Sequence, residues 1–98
     1  MILFRRSTEE QHSAFYDHDF GSYKVRGVWW PSQNKEAQTA IIVCPGCGSA
    51  QELRPEVWKI AADGTVSPSV DHSQPIRKTD GTVLIDCTFH NFIMLEGW

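Results

Sequence analysis

The stretch VCPGCGSAQEL, residues 43–53, sets the strongest constraint on what this chain can fold into. Cys44 and Cys47 flank Pro45-Gly46, a turn-forming pair, and Gly48 can take a positive φ just after the second sulfur. That turn lets both thiolates face one ion and aims backbone N–H groups back at them. Thirty-nine residues separate Cys47 from Cys87, where Cys87-Thr88-Phe89-His90 repeats the two-residue spacing. Cys44, Cys47, Cys87 and His90 make a Cys₃His set, one of the tetrahedral sets that hold structural zinc. Every cysteine is then used, and soft sulfur with one imidazole favours zinc over magnesium or calcium. His72, in the polar stretch VDHSQP, is the alternative fourth donor.

Two other readings of the cysteines compete. A Cys-Pro-Gly-Cys run can be a redox dithiol, but such motifs sit at the start of a helix in a βαβ setting. Here Gly48-Ser49-Ala50 follows, and Cys87-x-x-His90 would go unexplained. Three unrelated buried cysteines are the other reading. An odd cysteine count excludes a fully paired disulfide framework within one chain, and a reducing, cytoplasmic setting is expected.

The chain has 98 residues, 41% of them hydrophobic, with four tryptophans. One globular domain over residues 1–98 is expected, small enough to benefit from a staple. No apolar run nears the ~20 residues of a membrane helix, and MILFRR places its arginines after the apolar residues, the reverse of a signal peptide. Nine basic and twelve acidic side chains give a formal net charge of −3, which lowers the expectation of phosphate binding without excluding it.

Strand signals dominate. FGSYKVRGVWW, TAIIVC, VWKI, TVLIDC and HNFIMLEGW read as β material, with a bulge at Gly27 and turns at Asp63-Gly64, Asp80-Gly81 and Glu96-Gly97. PSVDHSQPIRK, with prolines at 68 and 75, reads as loop. Ser7 and Glu10 fit a capping box opening a short helix over STEEQHSAF. The fold class expected is mostly β, built of zinc-ribbon-like antiparallel hairpins whose two knuckles hold one zinc. Residues 1–42 are an N-terminal extension packed on a zinc-binding β part, residues 43–98. Trp58 and Ile60 share a face and belong to the core. Trp29 and Trp30 point to opposite faces of a strand, so one ring is core and the other is a candidate partner-binding patch. Trp98 packs against the closing hairpin. His12 and His18 read as surface histidines, and Asp17-His18-Asp19 as a polar turn.

The pieces CPGCG, VWKIAADGTVSPSV and CTFHNFIMLEGW, taken in order, resemble a family of small, often phage-encoded zinc-binding proteins of unknown function. The resemblance covers about residues 43–98. It implies a zinc-bound β domain with Cys44, Cys47, Cys87 and His90 as ligands, and a phage or prophage source.

An enzyme is the less favoured reading. Four protein ligands close a zinc site to water. The zinc-deaminase signature is absent: Val43 precedes Cys44 where that signature has proline, and no His-x-Glu occurs. Neither a phosphate loop nor a Gly-x-Ser-x-Gly elbow is present. The expectation is a non-enzymatic, zinc-stabilised phage or prophage accessory protein that binds a host protein in the host cytoplasm. The alternatives are a nucleic-acid-binding zinc ribbon, which needs Arg5, Arg6, Lys24, Arg26, Arg77 and Lys78 on one face, and a small metalloenzyme using His18 or His72.

Overall fold

The computed structural model describes residues 1–8, 10, 16–17, 22–33, 38–77 and 80–98. The expected helix from Ser7 to Phe15, His12, His18, Asp19 and Lys78 all fall wholly or partly outside these residues. Among the described residues, eleven strands run in chain order: β1 (Ile2–Arg6), β2 (Tyr16–Asp17), β3 (Ser22–Tyr23), β4 (Val28–Pro31), β5 (Ala40–Val43), β6 (Ala50–Glu52), β7 (Lys59–Ile60), β8 (Thr65–Asp71), β9 (Gln74–Arg77), β10 (Val83–Cys87) and β11 (His90–Leu95). Seven of them form a curled open sheet in the order β6-β5-β4-β1-β11-β8-β7, with β9–β10 and β2–β3 as separate two-stranded ladders. The fold is mostly β, as the alternating sequence implies.

β1 holds the sheet together. Ile2, Leu3 and Phe4 pair in parallel with Ile93, Met94 and Leu95, while Arg5 and Arg6 pair in parallel with Val28 and Trp29. One strand thus serves two partners in succession, which lets the sheet curl around it. This differs from the expected arrangement of antiparallel hairpins alone. It also differs from an N-terminal extension laid on a finished β part, because β1 and β4 sit inside the sheet. The cause is apolar: Phe4 is fully buried among Trp29, Val66, Ile93 and Leu95.

The tryptophan expectation also needs correction. Trp29 and Trp30 do face opposite ways, but neither is exposed: their relative exposures are 1% and 3%. Trp29 lies in the main core, tilted against Trp98 at 5.6 Å, and donates from Nε1 to the Glu96 carbonyl at 2.8 Å. Trp30 packs with Val28, Val43, Tyr23 and Ile41 in a second cluster on the other face. β4 is therefore covered on both sides, and its alternation separates two cores rather than core from solvent.

The turn at Asp63-Gly64 joins β7 to β8 as expected. Asp63 accepts from the Thr65 N–H at 2.9 Å, and Gly64 has φ +92°. A Cβ on Gly64 would run into the Leu95 carbonyl oxygen, so only glycine fits. The stretch from Pro68 to Lys78 is not all loop: β8 and β9 run through both prolines. Pro68 lies past the end of β7, which pairs only with Val66 and Ser67, and Pro75 sits in the two-stranded ladder opposite Asp86. Both are places where a strand tolerates a missing N–H.

Candidate metal centre

β5 ends at Val43 and delivers Cys44 into a tight turn. Gly48 donates to the Cys44 carbonyl and Cys44 to the Ser49 carbonyl, each at 2.9 Å, and Gly48 takes φ +75°. Gly46 has a different reason to be glycine. Its φ is not in the left-handed region, but a Cβ there would lie 2.8 Å from Cys87 Sγ and 3.6 Å from Cys44 Sγ. The peptide lies flat against the sulfurs, and its N–H donates to Cys44 Sγ at 3.4 Å.

The second half of the site is built differently from a Cys-x-x-His knuckle. β10 ends at Cys87, which is paired with Gln74 at the base of the β9–β10 hairpin. His72 stands just before the opposite strand of that hairpin, and its N–H donates to the Phe89 carbonyl at 2.8 Å. Asp71 fixes this corner by accepting from the Ser73 N–H at 3.0 Å and from the Ser73 hydroxyl. The hairpin thus carries His72 and Cys87 on its two legs.

The donor atoms of Cys44, Cys47, His72 and Cys87 all lie within 4.8 Å of one another, close enough to bind a metal ion. Cys44 Sγ is 3.6 Å from Cys87 Sγ, and Cys47 Sγ is 3.4 Å from His72 Nδ1. Bonds of ~2.3 Å to sulfur and ~2.0 Å to nitrogen at the tetrahedral angle place two sulfurs ~3.8 Å apart and sulfur and nitrogen ~3.5 Å apart. The observed edges fit, and 3.6 Å is far from the ~2.05 Å of a disulfide. The three cysteines are buried, His72 is half-buried, and Phe89 packs against the sulfurs.

Three of the four expected ligands therefore come together, and the fourth position belongs to His72 rather than His90. Strand alternation is the reason. β11 pairs His90 with Asp71 of β8, and both side chains are exposed on the outer face. There His90 Nε2 lies 3.1 Å from Ser69 Oγ. One residue beyond Asp71 the chain turns its next side chain inward, with the parity of the buried Val66 and Val70, and that residue is His72.

Burial pushes the Cys44 thiol up to about 12, against the lowering pull of the Cys47 and Gly46 backbone N–H groups. Burial also opposes the Cys47 thiolate, but hydrogen bonds from the Ser49 side chain and backbone, and from Cys44 and Cys87, outweigh it. That thiol falls below its ordinary value. Sulfurs packed this closely cannot all ionise unless a positive ion shares their charge; a divalent metal does so while displacing their protons.

Three clefts, of about 310, 540 and 410 Å³, lie elsewhere on the molecule, and none is lined by any of the four donors. No helix among the described residues is long and apolar enough to cross a membrane. Comparison with protein-family models, with curated proteins and with solved structures finds no match.

Proposed function

We propose that Cys44, Cys47, His72 and Cys87 hold one zinc ion, and that this zinc is structural. The observation that carries the reading is the closed set of four donors at tetrahedral-edge distances, three of them thiols sealed under Phe89. The donor set is soft enough to select zinc over oxygen-seeking ions. Four protein ligands leave no position for a reacting water. When bound, the ion would tie the end of β5 to both legs of the β9–β10 hairpin, closing long loops of chain. With three thiolates bound, the formal charge moves from −3 to −4.

On this reading the chain is a non-enzymatic binding module, the kind of small phage accessory protein its motifs resemble, directed at a host protein. Its contact surface is not the Trp29-Trp30 pair, which is buried. Leu3 and Phe92 instead stand exposed on adjacent strands of the sheet, and such apolar side chains suit a protein partner better than phosphate. Arg6, Arg26 and Arg77 each donate to a backbone carbonyl, at Gly97, Gly46 and Gly81 respectively. Basic side chains committed to three separate turns favour the protein-binding reading over the nucleic-acid one.

Elemental analysis of the purified full chain tests the metal: one zinc per chain is expected, and a metal-free, stably folded chain that takes up no zinc overturns the proposal. Affinity capture from host cells tests the role. One stoichiometric, nuclease-resistant partner is expected, whereas nuclease-sensitive capture would favour nucleic acid.

A further inference from the structure

We infer that a row of clefts beside Arg6 and Lys59 is a docking furrow for an extended, acidic segment of a partner protein. The inference rests on the protein-binding reading, adds a second contact to the face carrying Leu3 and Phe92, and does not depend on the metal.

The clefts of about 540, 310 and 410 Å³ adjoin one another in that order. Arg6 and Pro31 wall both the first and the second, and Gln38 and Thr39 wall both the second and the third. Each has the volume of an ordinary ligand site. Set in a row, they suit an extended chain better than a compact molecule.

Arg6 stands where the first two clefts meet. It is the last residue of β1, and the parallel pairing of β1 with β11 brings it beside the end of β11. There its Nη1 donates to the Gly97 carbonyl at 3.0 Å, and its guanidinium lies over the Trp29 ring, 5.0 Å from the centroid. Both contacts hold the cation in place before a ligand arrives, which lowers the ordering cost of binding. The Gly97 carbonyl takes one of five guanidinium N–H groups. Among the described residues no carboxylate pairs with Arg6, or with Lys59, which lines the third cleft. A guanidinium fork without an acidic partner matches a carboxylate.

The third cleft lies where the curled sheet does not close. Leu53 directly follows β6, Lys59 and Ile60 form β7, and these strands are the two edges of the seven-stranded order. An edge strand carries backbone N–H and C=O groups with no strand beside them, and an extended peptide can pair with them. Nucleic acid is the poorer occupant. A phosphate chain calls for several cations along its path. Here Glu10 lines the first cleft, and the formal net charge of the chain is −3. Pro31, Pro55 and Ile60 add apolar surface that suits peptide side chains.

The test titrates the full chain with a short capped peptide of alternating Leu and Glu, read by amide and indole N–H shifts in NMR. The same peptide with Gln for Glu and a short oligothymidylate are the controls. The Leu-Glu peptide should bind and move the Trp29 and Trp98 indole signals and the amides of Ser32, Thr39 and Ile60. Arg6→Gln should weaken it by about tenfold, the low end for a lost charge-assisted hydrogen bond. Arg6→Lys keeps the charge without the fork and should fall between. Lys59→Gln, which leaves the Trp29 packing untouched, should weaken it by about threefold. Arg77→Gln, which lines none of the three clefts, should bind as wild type does. Equal affinity for the Gln peptide, unchanged affinity in both Arg6→Gln and Lys59→Gln, or shifts confined to the Leu3 and Phe92 face overturns the furrow. Tighter binding of the oligothymidylate overturns it together with the protein-binding reading. Binding of no probe overturns the furrow alone if wild type and Arg6→Gln still capture the same host protein.

Discussion

The curled sheet and the metal corner are two solutions to the same problem, holding distant segments of a short chain together. In the sheet, Phe4, Trp29, Val66, Ile93 and Leu95 come from four strands and are joined by burial of apolar surface. In the corner, Cys44, Cys47, His72 and Cys87 converge, and Phe89 packs beside the sulfurs. Burial is spread over many contacts and degrades gradually when one is lost. On the proposed reading, a four-donor site would concentrate its contribution in one ion, and the β9–β10 hairpin would depend on it. A two-stranded ladder has little stability of its own in water.

Phe4→Ala removes the centre of the sheet core and should cost about 3–5 kcal/mol in denaturant unfolding. That is a large share of the ~5–15 kcal/mol available to a domain, and little change would mean that the core is not the main support.

Metal removal by a chelator, or Cys87→Ser, should lower stability by about 3 kcal/mol relative to protein with free zinc at 100 times Kd. Hydrogen exchange locates the loss. Amides of β9 and β10 should lose protection while those of β1, β8 and β11 keep it. Equal loss across both regions would show that the core cannot stand without the ion.

The histidines separate cleanly. His72→Ala should reduce bound zinc below one per chain, and His90→Ala should leave it at one, as read by elemental analysis. The opposite result would restore the Cys-x-x-His knuckle. Gly46→Ala tests the close approach at the sulfurs: a Cβ 2.8 Å from Cys87 Sγ must displace it, with an expected cost of about 1–3 kcal/mol and a weaker metal site. Unchanged affinity would mean that the sulfur yields freely.

The smallest effect is acidic. The Thr65 N–H and side chain hold the Asp63 carboxyl below its usual range. A depressed folded pKa adds stability above the unfolded value of ~3.9, which is lost as pH falls through the folded value. Asp63→Asn should therefore flatten the stability profile slightly below about pH 4, and an unchanged profile would remove this turn as a contributor.

The cysteines were legible in the sequence because sulfur pairs at this spacing have few other uses. His72 was less so. Cys87-x-x-His90 mimics a ligand pair in linear spacing, yet Cys87 ends one strand and His90 begins another with different neighbours. The signal that finds His72 is parity: Val66, Val70 and His72 are all even-numbered along one run, and the valines mark the inner face. The Trp29-Trp30 alternation is visible in the sequence and its meaning is not, because local sequence does not say that both faces of β4 are covered. β1 left the faintest trace. Four apolar residues cannot announce partners that lie ninety residues away or that pair in parallel.

That central position of β1 orders events during synthesis. Ile2 leaves the ribosome well before its sheet neighbour Ile93. Until then the strand that joins the two halves of the sheet has half its edge unpaired and Phe4 uncovered. Pairings this remote close slowly. The nascent chain therefore waits with an adhesive strand exposed, and completion of the sheet belongs to the moment after residue 95 emerges.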